Sequence, residues 1–106
     1  MTNGYGLLGR VKKNLIITHN ADNALIKKYI AAAVSYAEEF QHLAAGYYLE
    51  HEMSETTKQG VVMLSSHFYE SRDGSTGGFF GDTIGASAQA WEVINNLLRL
   101  GREWKV

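Results

Sequence analysis

The chain of 106 residues contains neither cysteine nor proline. The lack of cysteine excludes disulfide bonds and thiolate metal sites, and the lack of proline leaves glycine as the strongest interruption of regular structure. No apolar run approaches the roughly 20 residues that a transmembrane helix requires, and residues 1–5 lack the charged and apolar regions of a signal peptide. We therefore expect one protein that is intracellular when made and has no membrane partner.

Net charge is also small: the formal value is −1, and charged residues make up 20% of the chain. A protein that grips nucleic acid through phosphate contacts is typically basic, so this balance argues against such a role. The charges are nevertheless segregated. Residues 1–28 contain five Lys and Arg residues against one Asp, whereas residues 38–55 contain five Glu residues and neither Lys nor Arg. These are either two solvated faces of a helical protein or complementary patches that meet when identical copies pack in a head-to-tail ring.

Apolar periodicity predicts an all-α fold, a small bundle of about four helices that forms one domain over residues 1–106. The clearest stripe runs from Ile26 to Ala44 in steps of four and three residues, with Gly46 as the expected end of that helix. Asn20 or Asp22 is expected to cap it. The predicted helices cover residues 6–15, 23–45, 55–72 and 87–101.

The second half of the chain is predicted to contain two capped helices and a long connection. Ser54 and Ser87 are the expected N-caps of the third and last helices, and Gly101 is the expected stop of the last one. A glycine-rich loop precedes the last helix over 73–86, and residues 99–106 are expected to form an extended C-terminal tail. Two tryptophans have different predicted roles: Trp91 belongs to the core, whereas Trp104 either folds back onto the domain or anchors the tail on a partner.

No constellation of residues predicts catalysis or a bound cofactor. Residues 4–9 match the glycine spacing of a dinucleotide-binding turn, but only three residues precede them, so no strand can lead into the turn. No two histidines are spaced to share a helical face, and His51-Glu52 lacks the second histidine of a metalloprotease motif. A solvated surface explains acidic pairs such as Glu38-Glu39. We predict a protein that is not an enzyme and has no cofactor or metal.

Three stretches of the chain, 24–40, 58–72 and 93–104, resemble the small head-to-tail connector, or adaptor, proteins of long-tailed double-stranded DNA phages. The most characteristic pieces are Phe-Tyr-Glu-x-Arg at 68–72 and Leu-Leu-x-x-x-Arg-x-Trp at 97–104. The last helix departs from the family, since it lacks the proline with which members often open it. The resemblance implies an α-helical structural protein of the virion neck, present in the host cytoplasm during assembly.

The resemblance further implies a homo-oligomeric ring of about a dozen copies beneath the portal protein. Such a ring extends the channel, through which double-stranded DNA passes without sequence-specific binding, and it offers a platform for a tail-completion or stopper protein. We hypothesise that the 73–86 loop and the 99–106 tail contact neighbouring rings. The candidate residues for these contacts are Phe79, Phe80, Arg99, Arg102, Trp104, Lys105 and Val106. The candidates for subunit-subunit contacts are the segregated charges Arg10, Lys12, Lys13, Lys27, Lys28, Glu38, Glu39, Glu50 and Glu52.

A different class of protein remains open from the residues alone. A small helical regulator that binds DNA or a partner protein would use the same basic residues of segment 1–28 as its contact patch. The sequence contains no clear helix-turn-helix recognition helix, and salt-dependent binding to duplex DNA would favour this alternative.

Overall fold

The computed structural model describes the backbone of residues 5–71 and 84–105, and the side chains of residues 5–71 and 91–101. Within these ranges the chain is all-α, which confirms the predicted fold class, and none of the helices is long and apolar enough to cross a membrane. The helices are α1 Leu8–Leu15, α2 Asn23–Phe40, α3 Tyr47–Glu50, α4 Glu55–Glu70 and α5 Ile84–Lys105.

Helix α4 lies at the centre of the bundle, and α1, α2 and α5 all pack against it. Helix α2 is antiparallel to α4, because Gln41 at its end bonds Thr57 in the first turn of α4. Helix α5 is also antiparallel, because Leu98 meets Gly60 in the first half of α4. The completely buried apolar side chains between these helices are Val11, Ile26, Ile30, Ala33, Ala37, Val61, Leu64 and Ile94.

Helix α1 runs alongside α4 in the same direction. The guanidinium of Arg10 lies 3.4 Å from the carboxylate of Glu55, and the amide of Asn14 donates to Ser66 Oγ at 2.8 Å. The start of α1 therefore lies beside the start of α4, and the end of α1 lies beside the second half of α4. This direction gives the bundle two distinct ends, one of which carries α3 and the last turns of α5.

The end of α2 differs from the prediction. The helix ends at Phe40, not near Gly46, because His42 adopts a left-handed conformation with φ of 62°. The amide of Leu43 then donates to the carbonyl of Glu38 at 2.8 Å, and that of His42 to Glu39 at 3.1 Å, which is the hydrogen-bond pattern of a Schellman motif. Gly46, with φ of 85°, instead precedes α3.

Helix α5 is longer at both ends than the sequence indicated. It begins at Ile84, before the expected cap Ser87, and continues to Lys105 through the expected stop Gly101. Residues 99–105 are therefore helical and not an extended tail. The physical reason is that Gly101 is buried against α4, where the absence of a side chain permits close approach. Of the predicted 73–86 loop, residues 84–86 belong to α5 and the rest lie outside the described ranges.

Individual contacts test the predicted N-caps of α2 and α4 and the predicted core position of Trp91. Ser54 is the N-cap of α4, and its Oγ accepts a hydrogen bond from the amide of Thr57 at 3.2 Å, as predicted. Asp22 occupies the N-cap position of α2 but makes no capping bond; its carboxylate accepts from the hydroxyl of Tyr69. Trp91 packs against the core with its ring centroid 5.7 Å from that of Tyr36, which confirms its predicted role.

Helix α1 ends in a second Schellman motif, at Ile16. The amide of Ile17 donates to the carbonyl of Lys12 at 2.9 Å, and that of Ile16 to Lys13 at 3.1 Å. Ile16 takes the left-handed position, with φ of 58° and ψ of 49°, where glycine is usual. The left-handed conformation costs an L-residue roughly 1–2 kcal/mol. The side chain of Ile16 is 86% exposed, so side-chain contacts within the subunit do not offset this strain.

Candidate assembly surfaces

A buried polar network holds the end of the bundle that carries α3. Gln41 is 1% exposed, and its Nε2 donates to Thr57 Oγ1 at 3.0 Å and to the carbonyl of Leu98 at 2.7 Å. The hydroxyl of Tyr48 donates to the Oε1 of the same amide. Burial raises the pKa of the Tyr48 phenol, so it remains a donor at neutral pH. One side chain thus ties α2 to α3, α4 and α5.

Glu38 belongs to the same structural region and is 5% exposed. Its carboxylate oxygens accept hydrogen bonds from the amide of Gly46 at 3.1 Å and from that of Tyr48 at 3.0 Å. A buried carboxylate that bonds backbone amides fixes a connection within the subunit. The prediction that Glu38 contacts a neighbouring subunit does not fit this position.

The predicted basic residues lie on α1 and on the first half of α2. Arg10 is held against α4, where it also donates to Gln59 at 3.5 Å, and Lys12 donates to Asn20 at 2.8 Å. Lys13 is exposed. The remaining two are Lys27, which is half-buried, and Lys28, which is exposed. The exposed positive charge therefore includes the last turn of α1, next to Ile16.

The predicted acidic residues other than Glu38 lie at the opposite end of α2. Glu39 is exposed in the last turn of α2, and Glu50 and Glu52 are exposed on and after α3. Glu50 and Glu52 border a pocket of about 310 Å³, hereafter the α3 pocket. The residues that line the α3 pocket are Tyr5, Tyr48, Leu49, Glu50, His51, Glu52, Met53 and Lys58.

The outer side of α5 is apolar although it faces away from the core. Val93 is 45% exposed, Leu100 is 49% exposed, and Leu97 between them is half-buried. Steps of four and three residues place these side chains on one stripe, hereafter the α5 stripe. Leu100 also borders an apolar cavity with the first turn of α4. Arg99, on a different side of α5, is exposed and donates to Asn96 at 3.0 Å.

Residues 6–97 match the family described as Phage gp6-like head-tail connector protein. The chain belongs to this family. The match covers most of the chain, and it confirms the family that the sequence resembled. Comparisons with curated proteins and with solved structures found no match.

Membership gives this connector a structural role at the head-tail junction of the phage particle, where the family interacts with portal and tail proteins. The family is a structural one and is not known for enzymatic activity. In the ranges that the structure describes, no group of His, Asp or Glu residues is arranged to hold a metal ion. The surfaces that matter in such a protein are therefore those available to other chains.

Several predicted contact residues of the connector lie outside what the structure describes. Phe79, Phe80 and Val106 are outside the described ranges. Arg102, Trp104 and Lys105 belong to the last turns of α5 by backbone position.

Sequence reasoning missed three exposed apolar features: Ile16, Leu49 and the α5 stripe. The sequence pattern could have predicted the α5 stripe, because Val93, Leu97 and Leu100 have helical spacing next to the apolar stripe that packs in the core. Leu49, 57% exposed, lies between the predicted helices 23–45 and 55–72, outside any periodic segment. Ile16 carried no signal, since its left-handed backbone is set by the Schellman hydrogen bonds that end α1.

Proposed function

We propose that this connector protein forms a closed ring beneath the portal, extends the DNA channel and offers the docking platform for tail-completion proteins. The observation that carries the proposal is the placement of opposite exposed charges at separate ends of one subunit. Lys13 lies at the end of α1, whereas Glu39, Glu50 and Glu52 lie around the end of α2 and α3. A contact between two different surfaces, repeated by rotation, closes a ring.

The proposed subunit-subunit contacts are the predicted charges without Glu38. Electrostatic complementarity of this kind orients partners and speeds their encounter, and it weakens as salt increases. The set comprises Arg10, Lys12, Lys13, Lys27, Lys28, Glu39, Glu50 and Glu52. Since Arg10 and Lys12 also bond groups of their own subunit, we expect Lys13 and Lys28 to contribute most.

The proposed contact with the portal or tail protein is the C-terminal half of α5. The α5 stripe exposes Val93 and Leu100 to solvent, and exposed apolar surface beside charged groups is typical of a protein interface. The predicted residues Arg99, Arg102, Trp104, Lys105 and Val106 continue this segment, and Phe79 and Phe80 remain proposed contacts of the preceding segment. DNA in the channel needs no tight contact, which agrees with the net charge of −1.

Co-assembly with purified portal protein tests the proposal. Light scattering and negative-stain electron microscopy should reveal a discrete ring of the connector bound to one end of the portal. Leu100→Asp should abolish portal binding, because it places a charge in the apolar contact. Ser35→Asp, which adds the same charge to an exposed position on α2, is the matched control and should bind normally.

The proposal is wrong if the connector remains a single copy in the presence of portal protein. Salt-dependent binding of the isolated chain to duplex DNA, together with no portal binding, would instead support the small regulator.

A further inference from the structure

Ile16 combines backbone strain with exposure to solvent. It is a β-branched residue in the left-handed conformation, at a position where glycine is usual, and 86% of its surface is exposed. Lys12 and Lys13 lie one turn earlier on the same helix. An apolar side chain that strains the backbone and contacts water suggests a function outside the folded subunit.

The α3 pocket is a depression with acidic residues at its border, whereas Ile16 protrudes beside basic residues. Its buried lining includes Tyr48 and Met53, which are 5% and 9% exposed, and Leu49 extends from it into solvent. Glu50 and Glu52 supply negative charge at its border. Lys58 also lines the pocket, but its Nζ lies 3.6 Å from the carboxylate of Glu55. The pocket therefore has a mixed lining, in which buried apolar side chains lie beside an acidic border.

Ile16 cannot reach the α3 pocket of its own subunit. Asn14, two residues before Ile16, contacts Ser66 in the second half of α4. The α3 pocket lies at the start of α4, next to Glu55. Ser66 lies eleven residues after Glu55, a distance of about 16 Å along the helix. Contact between these two features therefore requires two copies of the chain.

We propose that Ile16 of one subunit inserts beside Leu49 in the α3 pocket of the next subunit, with Lys13 facing Glu50. Apolar and charged groups match in this arrangement: the exposed Ile16 meets Leu49, which is 57% exposed at the pocket, and the flanking lysines meet the acidic border. Because the two features lie on different surfaces of the chain, the contact repeats around a ring. This inference rests on the proposed ring and identifies one of its contacts.

The first test replaces Ile16 with glycine in the full-length protein. Ile16→Gly removes the inserted side chain and supplies the residue that the left-handed position favours. The concentration for half-assembly should rise about tenfold or more, as for loss of a central interface residue. The melting temperature of the dissociated subunit should equal or exceed that of the wild type. Ser35→Ala, at an exposed position on α2 outside both proposed contacts, is the control and should assemble normally.

A charge exchange tests the second half of the contact. Lys13→Glu and Glu50→Lys should each raise the half-assembly concentration severalfold, because each places like charges opposite one another. The double variant, Lys13→Glu with Glu50→Lys, should recover most of the wild-type assembly, since it restores opposite charges. Two positions on surfaces too distant to touch within one subunit recover together only if they meet between subunits.

The outcomes separate this contact from the ring itself. If the wild type assembles neither alone nor with portal protein, both the ring and this contact are wrong. If the wild type assembles and Ile16→Gly assembles equally well, only the contact is wrong. A loss of assembly accompanied by a lower melting temperature of the dissociated Ile16→Gly subunit would assign Ile16 a role in folding and would also overturn the contact.

Discussion

The crossing of α4 and α5 leaves no room for a side chain at position 101. A Cβ on Gly101 would overlap Oγ1 of Thr57 and would lie 2.9 Å from Oγ of Ser54 and 3.1 Å from Nε2 of Gln41. All three neighbours take part in hydrogen bonds that begin α4 or join it to α2. We therefore predict that Gly101→Ala separates the two helices or breaks these bonds.

The expected change in the free energy of unfolding of Gly101→Ala follows from two opposing effects. Alanine in a helix interior is more favourable than glycine by about 1 kcal/mol. Overpacking costs about 1–3 kcal/mol, and each disturbed buried hydrogen bond costs about 1 kcal/mol more. We expect the free energy of unfolding to fall by about 2 kcal/mol, which for a domain of this size lowers the melting temperature by about 10 °C.

Thermal unfolding followed by circular dichroism measures the effect, with Gly9→Ala as the matched control. Gly9 lies in α1, and nothing would lie within 4 Å of a Cβ there. Gly9→Ala should therefore leave the melting temperature unchanged or raise it. Adding Thr57→Ala to Gly101→Ala should restore part of the lost stability, because it removes the overlapping hydroxyl. A Gly101→Ala variant that melts at or above the wild-type temperature would refute the close approach of α4 and α5.

Three further variants test the buried polar groups by urea unfolding. Glu38→Gln should lower the free energy of unfolding by about 2 kcal/mol, because the neutral amide oxygen replaces a carboxylate that accepts two backbone amides. Gln41→Met should lower it by a similar amount, since the partners of the amide lose their bonds. Burial lowers the pKa of His67, so the unfolded chain takes up a proton first, near pH 6.5, as pH falls. When the pH is lowered from about 7.5 to about 5.5, the wild type should therefore lose more stability than His67→Gln. An equal loss of stability in both proteins would contradict a lowered pKa of His67 in the folded state.

The apolar spacing was sufficient to predict α1, α2, α4 and α5, but not the short α3 or where the helices end. Helix α2 stops at Phe40 although Leu43 and Ala44 continue its periodicity, because Schellman hydrogen bonds and the Glu38 carboxylate turn the chain. Helix α5 continues through Gly101 because glycine there permits close packing and does not mark an end. The two errors have different origins: at α2 the left-handed position that ends the helix is occupied by His42 and not by a glycine, whereas at α5 a glycine required by tertiary contact does not end the helix.

The burial of polar residues could be predicted from the sequence only in part. Gln41 follows Ile30, Val34 and Ala37 in steps of four and three, so it lies on the apolar stripe of α2. A polar side chain at such a position is usually hydrogen-bonded in the core. Glu38 lies at the edge of the same stripe, where a charged surface and a buried contact give the same sequence pattern. Only the fold decides between them.

The buried network and the assembly surfaces are physically connected. Gln41 joins α3, which carries the α3 pocket, to Leu98 on α5, two residues from the exposed Leu100. Loosening this end of the bundle should disturb the proposed subunit contact and the proposed portal contact together, so Gln41→Met should weaken both. Leu100→Asp should weaken portal binding alone, and Ile16→Gly, at the opposite end of the bundle, should weaken the contact between subunits alone. Equal effects of the three variants on both assays would mean that assembly depends on general stability and not on separate surfaces.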